Sequence, residues 1–103
     1  MSRSRVLAEL LQPVENPTPY GGRVVSYDPL GMVWLKTGAV RRRDKSDDAG
    51  TRSVEAMTAE ARADPRLVEG RVLRFGGGDW AVMGVQGVDD RPGRVELVLE
   101  RGR

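Results

Sequence analysis

The sequence predicts a mainly β protein, a small antiparallel β-barrel or sandwich with a long charged loop inserted in it. Two observations carry this prediction. Glycine and proline fall in clusters, each of which is a turn signal because proline presets φ and glycine supplies positive φ. The intervals between the clusters are short and rich in β-branched residues, which is typical of strands. The clusters span residues 16–22, 28–31, 76–79 and 89–93.

The length of 103 residues fits one domain, spanning 1–103. The chain has no cysteine and no histidine, which excludes a disulfide framework, thiolate zinc sites and the commonest general base. No apolar run approaches the ~18 residues typical of a membrane helix, and no signal-peptide core follows the basic N-terminus. We therefore expect a soluble protein made inside the cell, without cofactors.

The first element, residues 6–14, fits either a strand or a short helix. Its apolar residues have helical spacing, and Pro13 limits a helix to about two turns. The segment 1–11 is also a candidate arm for contacts with other subunits, because its leucines exceed the needs of one short strand. Ordinary core packing is the alternative. The apolar residues with helical spacing are Val6, Leu7, Leu10 and Leu11.

Two more strands are predicted at 23–27 and 32–40, separated by the turn signal at 28–31. Trp34 lies in the second of them, inside an apolar run. We expect Trp34 to anchor the core, with an acceptor for its indole N–H.

The middle of the chain differs in character. Residues 38–53 contain little that a core can bury, so we predict a flexible charged loop there. The next stretch, 54–63, is ambiguous: its alanine, methionine and glutamate favour a helix, yet apolar and polar residues alternate as in a strand. The dipeptide Asp64-Pro65 ends it.

The last third gives the clearest pattern. Strict alternation of apolar residues between turn signals predicts strands at about 71–75, 79–88 and 94–100. They are expected to form an antiparallel meander through two tight turns. Trp80 lies in an apolar run of the second of these strands, which favours burial. The residues expected to contribute to the core are Trp34, Val72, Phe75, Val82, Val85, Leu97 and Leu99.

Several features follow one another along most of the chain. A strand ending at Pro13 is followed by the pair Gly21-Gly22, a strand pair with Trp34, a variable loop and a long strand. A Gly70-Arg71 pair, a strand, a glycine turn and an apolar strand with Trp80 come next, and the chain closes on the strand 95–100. This order resembles the head-tail joining family of tailed-phage neck proteins, also called head completion or stopper proteins, and their counterparts in phage-like gene transfer agents.

The resemblance implies a small β-barrel that forms a ring, with a hexamer as the expected assembly. The ring would be stacked between a portal-side adaptor ring and tail-terminator or other tail proteins. It implies a location in the neck of a virion or phage-like particle, assembled in the host cytoplasm, with no enzymatic activity and no membrane partner. Double-stranded DNA would pass through the ring without sequence recognition, and the loops would line or close that channel.

The sequence gives little support for a phosphate-binding, metal or catalytic site. The run 76–78 lacks the Lys-Ser/Thr end and the following helix of a phosphate-binding P-loop, so a hairpin turn is favoured. The adjacent carboxylates at 47–48 and 89–90 lie in polar or turn segments without a third ligand, and Ser46 and Ser53 have no base to activate them. No catalytic, cofactor-binding or metal site is predicted.

One basic run is a candidate functional site. A charged run in a loop is ordinarily solvated surface. Repeated around a ring axis, however, its small positive excess becomes a collar, which gains from counterion release when it faces DNA. The candidate DNA- or channel-facing residues are Arg41, Arg42, Arg43, Lys45 and Arg52.

An alternative function is a small OB- or SH3-like barrel that binds nucleic acid or a cellular protein partner. Aromatic side chains can stack on unpaired bases in barrels of this type. Trp34 and Trp80 lie in apolar runs, which favours core packing, whereas Tyr20 and Tyr27 adjoin turns. Such a binder would take short oligonucleotides as a monomer, whereas a neck protein would associate with protein rings.

Overall fold

The structure is a computed structural model that describes residues 4–47 and 50–102, and it contains only β-strands as regular elements in that part of the chain. The mainly β prediction is confirmed, and both segments left open as helix or strand are strands. No helix that could cross a membrane is present among the described residues. The strands are β1 (Ser4–Pro17), β2 (Arg23–Thr37), β3 (Arg41–Asp47), β4 (Gly50–Arg62), β5 (Val72–Phe75), β6 (Gly78–Gly87) and β7 (Arg94–Gly102).

Six of the strands close into a ring through antiparallel pairs, in the order β1-β2-β4-β7-β6-β5 and back to β1. The closing contact is short, because β2 meets β4 only where Leu35, Lys36 and Thr37 lie opposite residues 59–61. β3 stands outside the ring and pairs with the first half of β4.

Two hairpins project from opposite ends of this barrel. β1 meets β5 only at residues 9–11, so residues 12–17 and 23–28 of the β1–β2 hairpin are paired with each other alone. The β3–β4 hairpin likewise extends past the point where β7 leaves β4 at Val54. Because β2 and β4 are antiparallel neighbours and each hairpin tip precedes the start of one of them, the tips point in opposite directions. The molecule measures 50 × 31 × 24 Å.

The inside of the barrel is filled by apolar residues from all six ring strands and by one residue of the loop before β5. Alanines of β4 oppose larger residues of β7, as Ala59 opposes Leu97, so a strand poor in large side chains still contributes to a filled interior. Burial is confirmed for Val82, Leu97 and Leu99, and Phe75 packs against the core. The core comprises Ala8, Leu10, Val33, Leu35, Met57, Ala59, Ala61, Leu67, Leu73, Trp80, Val82, Leu97 and Leu99.

Three of the predicted core residues lie elsewhere. Trp34 is 61% exposed, because it alternates with the buried Val33 and Leu35 and therefore points out of the barrel. Val72 is half-buried on the face opposite Leu73. Val85 lies opposite Leu97 beyond a bulge in β6 and is 36% exposed.

The predicted strands at 23–27 and 32–40 are one strand, β2. The turn signal between them is absorbed by a bulge, at which the pairing shifts from Leu10 opposite Gly31 to Leu11 opposite Pro29. Gly31 has a φ of 128°, which only glycine adopts readily. The proline and glycine thus bend a continuous strand and do not end it.

The prediction of a flexible charged loop at 38–53 is wrong, because strands occupy most of this range. Residues 41–47 form β3, which pairs along its whole length with residues 50–56 of β4. A hairpin outside the core needs only backbone pairing, so it forms without apolar side chains. The predicted arm also belongs to the sheet, since residues 4–11 are part of β1 and Ala8, Leu10 and Leu11 are buried. Residues 1–3 of that arm lie outside the described residues.

The meander of β5, β6 and β7 is confirmed, but only one of its two connections is a tight turn. Gly76 and Gly77 join β5 to β6 with positive φ at both positions, as a two-residue hairpin of type I′ requires. β6 and β7 are joined by the longer loop 88–93, in which the N–H of Val88 donates to the oxygen of Arg94 at 3.3 Å.

Candidate functional site

Strand alternation sorts the predicted basic residues onto two faces of the β3–β4 hairpin. Directly opposed residues of a strand pair point to the same face. Lys45 lies opposite Arg52, and Arg41 and Arg43 alternate with Lys45 along β3, so these four cations share one face. We call Arg41, Arg43, Lys45 and Arg52 the basic face. Arg42 lies opposite Glu55 on the other face.

A carboxylate far along the chain completes the basic face. Glu100 of β7 lies opposite Ala56, which lies opposite Arg41. Its carboxylate is 2.6 Å from Lys45 Nζ and 3.8 Å from Arg43 Nη1, and the residue is only 9% exposed. Asp47 follows Lys45 at the next alternate position of β3 and so belongs to the same face. Four cations against two carboxylates leave an excess of two positive charges on this face.

The four cations divide into two pairs by their contacts. Lys45 and Arg43 neutralise Glu100, and a buried carboxylate depends on such partners. Among the carboxylates whose side chains the structure describes, none lies within 4.0 Å of Arg41 or Arg52. The guanidinium groups of Arg41 and Arg52 thus remain open to an external anion, and guanidinium geometry suits bidentate binding of phosphate.

The opposite face of the hairpin is nearly neutral. Ser53 Oγ donates to Asp44 Oδ1 at 3.0 Å, and Arg101 Nε donates to Glu55 Oε1 at 3.0 Å. With Arg42, this face carries two arginines and two carboxylates. The structure therefore brings four of the five predicted site residues together and separates Arg42 from them.

The aromatic side chains do not form one stacking platform. Trp80 and Phe75 are stacked on each other in the barrel, with ring centroids 6.1 Å apart. Trp34 lies outside, opposite Leu7, and Tyr27 lies opposite Pro13. Six residues of β1 separate these two positions, which is about 20 Å at the rise of a strand. Tyr20 is 97% exposed at the tip of the β1–β2 hairpin.

Glu60 holds the β6–β7 loop to β4. Its carboxylate accepts from Arg91 Nη1 at 2.9 and 2.8 Å and from Arg94 Nε at 3.1 Å, while Glu60 itself is 5% exposed. The hydrogen bonds from Arg94 and Arg91 lower the pKa of Glu60. In the loop after β4, hydrogen bonds from Arg66 lower the pKa of Asp64 to about 2.

We expect Glu60→Gln to lower the free energy of unfolding by about 1 kcal/mol at pH 7, because charge-assisted bonds to two arginines are weakened. A lowered folded pKa means that this stabilisation is present above the ordinary value of 4.5 and is lost as pH falls through the folded pKa. Urea unfolding at pH 7 and at pH 3 gives the free energy of unfolding of the wild type and of Glu60→Gln. The difference between wild type and variant should shrink at pH 3, and a constant difference would show that Glu60 does not act through its charge.

The described residues hold no group of three or more His, Cys, Asp or Glu side chains placed to bind a metal ion.

In a comparison with solved structures, the chain is similar to a chain of the "Virion of native gene transfer agent (GTA) particle". The TM-score is 0.69 at 20% sequence identity, and the match covers 95% of this chain and 94% of that chain. No family model matches the sequence. No curated protein matches it.

Proposed function

We propose that this chain is a structural component of a virion or phage-like particle of the gene transfer agent type, and that it acts there as a head-tail connector subunit of the stopper or head completion kind. The observation that carries the proposal is the likeness to a gene transfer agent virion chain over nearly the whole length of both chains. The sequence resemblance to neck proteins agrees with it. The proposed role is structural and not enzymatic.

In this role the chain forms a ring of six subunits in the particle neck, assembled in the host cytoplasm. Two hairpins at opposite ends of the barrel support contacts along the ring axis, one toward the portal-side adaptor ring and one toward the tail. Both hairpins have strand edges that no described strand covers, and free edges are common sites of subunit contact.

The basic face gives the ring its proposed contact with DNA. An excess of two positive charges per subunit, repeated around the axis, makes a positive collar in the channel. Arg41 and Arg52 contact phosphates, which positions DNA without reading its sequence. Arg43 and Lys45 add to the positive electrostatic potential of the collar, although both also lie close to the Glu100 carboxylate. We leave Arg42 outside this contact because it lies on the other face.

The amount of this chain in intact particles tests the proposal. Particles purified on a density gradient are digested, and labelled reference peptides count this chain and the major capsid protein by mass spectrometry. The expected result is a constant ratio across the particle fractions, equivalent to about six copies per particle for one closed ring. Absence of the chain from intact particles would refute the proposal.

A further inference from the structure

A notch opens in the outer wall of the barrel where β4 ends and β2 continues. β4 ends at Arg62, and the chain then turns away through Ala63, whose N–H donates to the oxygen of Gly93 at 2.8 Å. β2 runs on past this point with Trp34 and Met32. The notch has a volume of about 360 Å³, and its lining includes Trp34, Met32, Arg5, Lys36 and Arg62.

The floor of the notch is an open strand edge. Residues 31–34 of β2 pair with β1 on one side, whereas pairing with β4 begins only at Leu35. No other strand of the described chain covers their second side. Just beyond, the oxygen of Leu30 accepts from Arg66 Nη1 at 2.6 Å, so the loop after β4 closes the edge there. A segment of about four residues therefore has free backbone donors and acceptors at alternate positions.

The wall of the notch is apolar and exposed. Trp34 is 61% exposed, Met32 51% and Leu7 45%, and Leu7 lies directly opposite Trp34 on the same face. Three large apolar side chains side by side on an outer face are a typical feature of surfaces that another molecule covers.

The rim of the notch carries three cations that form no close ion pair with the described carboxylates. Arg5 lies opposite Lys36 across β1 and β2, and Arg62 ends β4. Of the nearby carboxylates, Glu60 lies directly opposite Lys36 but binds Arg91 and Arg94, and Asp64 binds Arg66 at 2.7 Å. Glu96 and Asp90 line a neighbouring depression together with Arg5 and Lys36. In residues 4–47 and 50–102, no carboxylate lies within 4.0 Å of the three rim cations.

We propose that the notch docks an extended, acidic segment of another polypeptide that carries a large apolar residue. Its main chain adds to the open edge of β2 at 31–34, its apolar side chain covers Trp34 and Met32, and its carboxylates reach Arg5, Lys36 and Arg62. Strand addition of this kind takes affinity from main-chain hydrogen bonds and specificity from side-chain pockets. A DNA duplex fits less well, because its phosphates lie on a convex surface and it offers no main chain to a strand edge.

The proposal does not depend on the particle role, and it is tested with the isolated chain. The probe is a fluorescently labelled seven-residue peptide of alternating glutamate and leucine, and binding is followed by fluorescence polarisation at low salt. The same peptide with lysine in place of glutamate should not bind. We expect the double variant Arg5→Ser/Lys36→Ser to weaken binding roughly tenfold, which corresponds to 1.4 kcal/mol.

The control variant Arg23→Ser/Arg42→Ser removes the same charge from exposed positions away from the notch and should bind as wild type does. Trp34→Ser, which removes the largest apolar side chain of the wall and no charge, should also weaken binding of the peptide. Near-ultraviolet circular dichroism and thermal unfolding establish that each variant folds. Equal loss in both double variants, no binding by wild type, or binding of a labelled DNA duplex at the notch in place of the peptide would each overturn the proposal.

Discussion

We expect Trp80→Ala to lower the free energy of unfolding by about 3–5 kcal/mol, the typical cost of truncating a buried aromatic residue. Trp80 is 2% exposed and lies opposite Leu73 in the barrel. Its ring stacks on Phe75 with 6.1 Å between centroids and carries the Arg101 guanidinium 4.5 Å above its own centroid. Truncation removes these contacts and leaves a cavity between strands that backbone pairing holds in place.

Urea unfolding followed by circular dichroism measures this change, and Trp34→Ala is the matched control. Both variants lose the same atoms, but Trp34 is 61% exposed, so its replacement should change the free energy of unfolding by no more than about 0.5 kcal/mol. Equal effects of the two substitutions would contradict the assignment of one tryptophan to the interior and the other to the outer wall.

The second large effect is expected for Arg41→Ser/Arg52→Ser, which removes the two cations of the basic face that have no carboxylate partner among the described residues. The excess on that face falls from two charges to zero, while Lys45 and Arg43 remain on Glu100. Each lost phosphate contact removes about 0.9 from the slope of log affinity against log salt. We therefore expect the slope to fall by about 1.8 and the affinity for duplex DNA at ~0.1 M salt to fall by between one and two orders of magnitude.

In particles, the same variant should retain less nuclease-protected DNA than wild type, with the largest deficit at low salt, where screening is weakest. Arg23→Ser/Arg42→Ser is the control, because it removes equal charge outside the basic face. Folding should be nearly unchanged in both variants, since exposed substitutions usually stay within ~0.5 kcal/mol. Wild-type DNA retention by Arg41→Ser/Arg52→Ser at every salt concentration would show that the basic face is only solvated surface.

The three C-terminal strands were predictable because glycine or turn clusters bound each of them and apolar residues alternate between the clusters. The same alternation indicates whether Trp34 points into the barrel or out to solvent. Val33 and Leu35 are buried, and the other face of that stretch carries Met32 and Lys36. A tryptophan that shares a face with lysine points to solvent, but its size and apolar character favoured the opposite interpretation.

The β3–β4 hairpin could not be predicted from the sequence, for a different reason. Strand signals in a sequence come from one apolar face, and β3 has none, because backbone pairing outside the barrel holds it in place. Nothing local to Lys45 indicates Glu100 as its partner, since that contact depends on the register of three strands. The notch is likewise set by where β4 ends relative to β2, which only the closed barrel determines.

The proposed role of this chain as a connector in a phage-like particle is best tested by deleting its gene in cells that produce the particles. The measurement is nuclease-protected DNA and gene delivery per purified particle, with a plasmid copy of the wild-type gene as the control. The expected result is heads that package DNA but leak it or lack tails, and full recovery with the plasmid. Intact, transfer-competent particles at the wild-type yield in the absence of this chain would contradict it.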